Sequence, residues 1–165
     1  ESELSRMLKN NIRLSCIGDL SKIPEGVRET LLHTIEKTKT NDRLILNLAL
    51  SYGSRDEITS AVQTIARKCL SGELHCEDIS QKTIADHLYT ANLIDPDLFI
   101  RTGGEKRLSN FLLWQSAYSE LYFSEKPWPD FSKKDLDLAL SDYYMRTRKF
   151  GGLKNKKSYK NSVQF

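Results

Sequence analysis

The chemistry this chain can do is concentrated between Asp97 and Glu120, where Arg101, Glu105, Arg107, Ser109 and Glu120 follow one another at short intervals. Guanidinium groups are planar forks that match the oxygens of phosphate, so two arginines flanking a turn point to a phosphate or diphosphate as the first ligand to consider. The turn is Gly103-Gly104, directly after Thr102. Glycines let the backbone bend sharply and bring its N–H groups close to an anion, which makes the turn itself a candidate cradle. Ser109 adds a hydroxyl donor, and Glu105 is placed to orient Arg101 or Arg107.

These groups need a rigid support. Leu98-Phe99-Ile100 is short, apolar and β-favouring, the profile of an interior strand that delivers Arg101 at its end. An arginine at the end of such a strand demands an anion, because an unpaired buried charge is costly. Elsewhere the pattern alternates. Ile12 to Ile17 reads as a strand ending at Gly18-Asp19. Pro24 suits the start of a helix with Val27, Leu31 and Ile35 inward. Arg43 to Leu50 is the next strand. Ser54-Arg55-Asp56-Glu57 has the form of a capping box, followed at helical spacing by Ile58, Ala61, Val62, Ile65, Ala66 and Cys69. A shorter helix is expected over Ser80 to Tyr89, and a strand within Glu120 to Phe123. Ser132 caps a last helix with Leu136, Leu140, Tyr143 and Tyr144 inward and Gly151-Gly152 at its end. Trp114, Tyr118 and Trp128 are assigned to the core.

Strand, helix, strand, helix, strand implies right-handed crossovers, hence an α/β fold with a mostly parallel central sheet flanked by helices. In such sheets ligands collect beyond the C-terminal ends of the strands. Those ends carry Gly18-Asp19, Tyr52-Gly53-Ser54-Arg55 and Arg101-Thr102-Gly103-Gly104. Asp19 is read as a loop or capping residue. Arg55 has two readings, a member of its helix's first turn paired with an acid, or a ligand group.

Three ordered stretches carry a family resemblance. Asp95-Pro96-Asp97-Leu98-Phe99-Ile100-Arg101-Thr102-Gly103-Gly104-Glu105 through Trp114, continuing to Glu120 and Trp128-Pro129-Asp130-Phe131, is similar to the C-terminal signature of the cis-prenyltransferases. Leu46-Asn47-Leu48-Ala49-Leu50-Ser51-Tyr52-Gly53-Ser54-Arg55-Asp56-Glu57 resembles the family's second long motif, and Ile17-Gly18-Asp19 a third. The resemblance is to the bacterial members that make undecaprenyl diphosphate. It implies condensation of isopentenyl diphosphate with an allylic diphosphate such as farnesyl diphosphate, repeated with cis stereochemistry, to build a polyprenyl lipid carrier of the cell wall. Carried over residue by residue, Arg101, Arg107 and Ser109 match the positions that hold the isopentenyl diphosphate. Glu120 matches a carboxylate linked to a Mg2+ site, and Asn47 and Arg55 match motif positions near the crevice. The resemblance further implies a homodimer, formed through the apolar segment around Trp114 to Phe123, and a cytoplasmic enzyme with a possible peripheral place at the inner membrane face.

Departures from the family pattern are informative. Gly53-Ser54-Arg55 stands for Gly-Gly-Arg, Lys106 for a histidine, and Lys149-Phe150-Gly151 for an Arg-x-Gly element. No Met-Asp-Gly-Asn-type loop occurs in residues 1–20, and Glu1 to Asn10 looks like the tail of a helix. The expectation is therefore that residues 1–152 form the C-terminal portion of one catalytic domain, followed by a basic tail over 153–165, and that this chain alone is inactive.

Composition fits a globular α/β protein: 39% hydrophobic and 28% charged over 165 residues. No apolar run approaches the roughly 20 residues needed to span a bilayer. Cys16, Cys69 and Cys76 show no CxxC pairing, and His33, His75 and His87 lack ligand spacing, so reduced thiols and no zinc site are expected. The net charge of +3 hides an asymmetry, since Arg146 to the end carries +7 and the rest −4. A solvated tail accounts for this, as does attraction to anionic lipid headgroups. Nucleic acid is not the expected partner, because no RNA- or DNA-binding motif accompanies the lysines.

Overall fold

The structure is a computed structural model that describes residues 2–147. Its described residues fall into two compact units, one of residues 2–95 with 108–114 and the other of residues 96–107 with 115–147.

The first unit is built on a parallel pair, β1 (Ile12–Ile17) and β2 (Leu44–Ala49), in register from Ile12↔Leu44 to Ile17↔Ala49. Helix α1 (Ser2–Lys9) leads into β1, and α2 (Glu25–Thr38) makes the crossover to β2. Beyond the strand ends the ladder continues with Leu50 N–H donating to the Ile17 carbonyl and Asp19 N–H to that of Ser51. Gly18 is obligatory in that corner, for its φ is +110° and a Cβ would stand far inside contact distance of the Leu50 carbonyl oxygen. Asp19 then caps a short 3-10 turn by accepting from Ser21 N–H, the bland role expected of it. Helix α3 (Ser54–Leu70) follows β2, and the expected helix over Ser80 to Tyr89 is the single turn α4 (Gln81–Ala85), started by a Ser80–Thr83 capping box.

Burial within this unit is narrower than the apolar pattern suggested. Leu14, Ile17, Leu31, Ala61, Ile65 and Leu88 are buried, whereas Val27 and Val62 are exposed. Strand β2 also exposes Leu44, Ile45 and Leu46, and among the described residues it pairs with β1 alone. The side of β1 away from β2 is satisfied differently. Thr38, wholly buried at the end of α2, accepts from Leu14 N–H at 3.0 Å and donates to the Thr34 carbonyl at 2.9 Å.

The second unit holds the parallel pair β3 (Leu98–Arg101) and β4 (Glu120–Phe123), in register from Leu98↔Glu120 to Arg101↔Phe123, and α5 (Lys133–Met145). Pairing is thus parallel throughout, as expected, and hydrogen-bonded in two two-stranded sheets. Three expectations fail here. Trp128 is 75% exposed and Tyr118 74%, so neither belongs to the core; Trp128 stacks on Phe131 at 6.3 Å instead. The inward face of α5 is Asp135 and Ala139, while Leu136 and Tyr144 are exposed, because Asp135 accepts from Ser132 N–H and pairs with Lys126 at 2.7 Å. The ammonium of Lys126 and the Ser132 hydroxyl hold the Asp135 carboxyl well below the usual carboxylate range. Finally, α5 ends at Met145, where Arg146 turns extended, and does not run to Gly151-Gly152. Those glycines, Lys149-Phe150-Gly151 and the 153–165 tail lie outside the described residues.

Thr38→Val keeps the volume but leaves Leu14 N–H without its acceptor, so it should destabilise the protein by about 1–3 kcal/mol. Urea denaturation measures this, and a midpoint unchanged from the parent would show that the bond contributes nothing.

Candidate functional site

Strand β3 delivers Arg101 to the C-terminal end of its sheet, where the guanidinium is half-buried and donates to the Arg107 carbonyl oxygen. Arg107 in turn pairs with Glu105. The sequence left open which arginine Glu105 orients, and the structure settles it in favour of Arg107. Arg101 therefore fixes the backbone of the loop that carries Arg107, and Glu105 fixes the Arg107 side chain. Two guanidinium groups stand against one carboxylate, which Arg107 alone pairs with, so the cluster keeps a net positive charge suited to an anion.

The glycine turn between them works otherwise than expected. Gly103 and Gly104 have φ of +91° and +78°, so the turn needs glycine. Their N–H groups, however, donate to the carbonyls of Lys126 at 2.8 Å and Ser124 at 2.9 Å. The turn prolongs the β3–β4 pairing past Arg101 and is not an amide cradle.

Glu120, at the start of β4, meets Arg146 at 2.8 Å, both being about 30% exposed, and Arg146 also pairs with Asp142 one turn earlier on α5. Arg146 was counted with the basic tail from composition, yet it is a bridge between two carboxylates. Its hydrogen bond to Glu120 raises its already high pKa. Glu120 has the oxygen-donor chemistry of a Mg2+ ligand, since that ion takes one or two carboxylates and fills its octahedron with water and phosphate oxygens. One of its oxygens is engaged by Arg146, and among the described residues no three His, Cys, Asp or Glu side chains are grouped to hold a metal. The Glu120 carboxylate fits Mg2+ as a single ligand.

Ser109, expected beside the arginines, folds with the first unit, as do Asn47 and Arg55. Asn47 accepts from the Ser15 hydroxyl at 2.8 Å across β1 and β2. Arg55 lies in the first turn of α3, exposed, and forms no ion pair among the described residues, which removes the reading that it merely pairs with an acid. The capping box expected at Ser54–Glu57 does not form. Ser54 and Glu57 are fully buried and serve other segments: the Ser54 hydroxyl accepts from Leu113 N–H at 3.0 Å, and Glu57 accepts from the Tyr52 hydroxyl and from Tyr89 N–H at 2.9 Å. Burial and the Glu57 carboxylate push the Tyr52 phenol up, so it stays protonated as the donor. The cap is supplied from elsewhere by Asn110, whose main-chain carbonyl accepts from Ser54 N–H and whose side-chain oxygen accepts from Arg55 N–H, both at 2.8 Å. Ser109 and Asn110 have φ of +50° and +63°, and Leu112 +46°. Of these unassigned residues only Asn110 had a sequence signal, asparagine being the non-glycine residue that tolerates the left-handed region.

A parallel α/β scaffold with an arginine-lined, carboxylate-oriented strand end is the setting in which the comparisons with known proteins can be read. The family model described as "Putative undecaprenyl diphosphate synthase" matches residues 1–151, and the chain belongs to that family, the cis-prenyltransferases. An isoprenyl transferase of Porphyromonas gingivalis is 51% identical over 150 residues, covering 91% of this chain and 59% of its own length. A tritrans,polycis-undecaprenyl-diphosphate synthase (geranylgeranyl-diphosphate specific) of Thermoplasma volcanium is 49% identical, covering 88% and 57%. The chain thus spans about three-fifths of the length of these relatives. Among solved structures, lavandulyl diphosphate synthase from Lavandula x intermedia in complex with dimethylallyl diphosphate superposes with a TM-score of 0.88 at 38% identity, covering 92% of this chain and 66% of that one.

Gly104→Ala places a side chain at φ +78° with its Cβ 2.8 Å from the Glu125 carboxylate. It should cost about 1–2 kcal/mol in urea unfolding for the left-handed backbone alone; wild-type stability would mean that the turn relaxes without glycine.

Proposed function

We propose that this chain provides the isopentenyl diphosphate half of a cis-prenyltransferase that condenses isopentenyl diphosphate with an allylic diphosphate, farnesyl diphosphate in the first instance, to make a polyprenyl diphosphate carrier of the undecaprenyl type. One observation carries the reading: Arg101, Glu105 and Arg107 form a linked, net-positive cluster on a strand end in a chain half identical to isoprenyl transferases.

In this reading Arg101 and Arg107 neutralise the diphosphate of isopentenyl diphosphate, Glu105 keeps the Arg107 fork oriented, and the Ser109 hydroxyl donates to a diphosphate oxygen. Asn47 and Arg55 are given places near the crevice by the resemblance, Asn47 within β2 and Arg55 in the first turn of α3. Held this way, the isopentenyl double bond attacks the allylic carbon. A carbon–carbon bond forms, the allylic carbon–oxygen bond breaks with departure of diphosphate, and a proton leaves the isopentenyl unit. The work of the protein is electrostatic, as fixed positive groups face charge that is already in place and charge that develops. Mg2+, when bound through Glu120, would supply Lewis-acid stabilisation of the departing diphosphate. No Met-Asp-Gly-Asn-type loop, to which the resemblance assigns the metal and the allylic diphosphate, occurs in the sequence. The 165-residue chain by itself is therefore expected to give no prenyl transfer, and measurable product from the purified chain would overturn that division of labour.

Exposed Tyr118 and Leu121 support a homodimer through the Trp114–Phe123 segment. No helix among the described residues is long and apolar enough to cross a membrane. A cytoplasmic enzyme meeting the inner membrane face peripherally is consistent with that and with the lysine-rich end of the sequence.

The test is binding of labelled isopentenyl diphosphate. Loss of one charge-assisted contact of about 1.5–3 kcal/mol predicts at least tenfold weaker binding for Arg101→Ala and for Arg107→Ala. Truncation of residues 153–165 should leave binding unchanged. Undiminished affinity in both arginine variants, or loss of all binding on truncation, would refute the assignment and favour a tail-based phosphate or nucleic-acid module.

A further inference from the structure

Four observations fasten the segment 108–114 onto the start of α3. Asn110 takes two N–H groups of that helix, Ser54 through its main-chain carbonyl and Arg55 through its side chain, each at 2.8 Å. Buried Ser54 returns a bond from its hydroxyl to Leu113 N–H at 3.0 Å. The Phe111 ring packs edge-on against Tyr52, with centroids 5.5 Å apart. And Gly53 has no Cβ where one would stand 2.8 Å from the Asn110 amide nitrogen.

The first N–H groups of a helix have no partner within it and ordinarily take a cap from the preceding residue. Gly53 offers no side chain. Asn110, fifty-five residues away from Arg55, fills that place, so the helix start and the segment carrying Ser109 are a single rigid piece. The neighbouring serine, at φ +50°, lies in the left-handed region within this fastened segment.

We infer that Asn110 is a positioning residue for the diphosphate site: by capping α3 it fastens the segment that carries Ser109 to the helix start and so presets the Ser109 hydroxyl. It touches no substrate itself. The inference rests on the isopentenyl diphosphate reading, in which Ser109 and Arg55 are ligand groups. Its chemical content is preorganisation, since a hydroxyl fixed before the ligand arrives costs less to order on binding.

Two substitutions displace the Asn110 amide without removing a proposed ligand group. Asn110→Gly retains the left-handed backbone and deletes the acceptor. Gly53→Ala is conformationally allowed at φ −150° and forces the amide aside. Each is expected to weaken isopentenyl diphosphate binding about tenfold, the scale of one lost hydrogen bond, and to speed amide exchange at Arg55. Ser109→Gly, which also tolerates φ +50°, supplies the decisive cycle. If Asn110 acts through Ser109, the double variants Ser109→Gly/Asn110→Gly and Ser109→Gly/Gly53→Ala bind little worse than Ser109→Gly alone, whereas a general loss of structure gives additive losses. Additive losses, or wild-type affinity in both Asn110→Gly and Gly53→Ala, overturn the inference. Should Asn110→Gly fail to fold, Gly53→Ala carries the test. Arg107→Ala separates the two levels: if it binds as wild type, the diphosphate reading itself has failed, and if it does not bind while the Asn110 variants bind normally, only the positioning role has.

Discussion

Backbone N–H groups that no ladder or helix satisfies are taken by side chains here, and the first unit is organised by how this is done. Leu14 N–H on the outer side of β1 goes to Thr38, Leu113 N–H to Ser54, Tyr89 N–H to Glu57 and Arg55 N–H to Asn110. Each acceptor comes from a segment remote in sequence. The bonds therefore do what apolar packing does elsewhere: they fix which loop lies against which helix. Thr38, Ser54 and Glu57 are the largest fully buried side chains in the described residues, so the sites of closest packing are also the sites of polar closure.

Electrostatics divides the second unit in a similar way. Glu105 pairs with Arg107 while Arg101 holds the Arg107 carbonyl, leaving positive charge over, and Arg146 is shared between Glu120 and Asp142, leaving negative charge over. Asp135 and Lys126 cancel. A short parallel sheet and one helix thus carry two clusters of opposite imbalance, and these are the residues to which the family resemblance gives diphosphate and metal roles. Neither imbalance arises from a lone buried charge. Every ion pair is partly solvated, which keeps the cost of holding the charges low.

Much of this was legible in the sequence. Strand–helix alternation gave the parallel α/β class, and the positions of β1, β2, β3, β4 and α3 agree with the pattern to within a residue or two, because strand ends are marked by glycine or by polar loops. The arginines, Glu105 and Ser109 stood out by type and spacing. What was not legible depends on partners distant along the chain. Ser54 and Glu57 have the spacing of a local capping box, but a residue from the 108–114 segment takes that place and turns both side chains inward. The Gly103-Gly104 turn has the composition of an anion loop, yet Ser124 and Lys126 claim its N–H groups. Arg146 has the composition of a tail residue and is instead a strut. Trp128 and Tyr118 are apolar enough for a core that lies elsewhere. In each case local propensity was right about the backbone and silent about the far partner.

The open strand β2 has a consequence of a different kind. Leu44, Ile45 and Leu46 are exposed on a six-residue strand whose outer edge no other described strand covers. Edges of this sort recruit other strands, and such runs are hot spots for self-association. For this chain taken by itself, a substitution that loosens β1 from β2 should therefore cost soluble yield, and charged replacements on the exposed face of β2 are the natural gatekeepers against it.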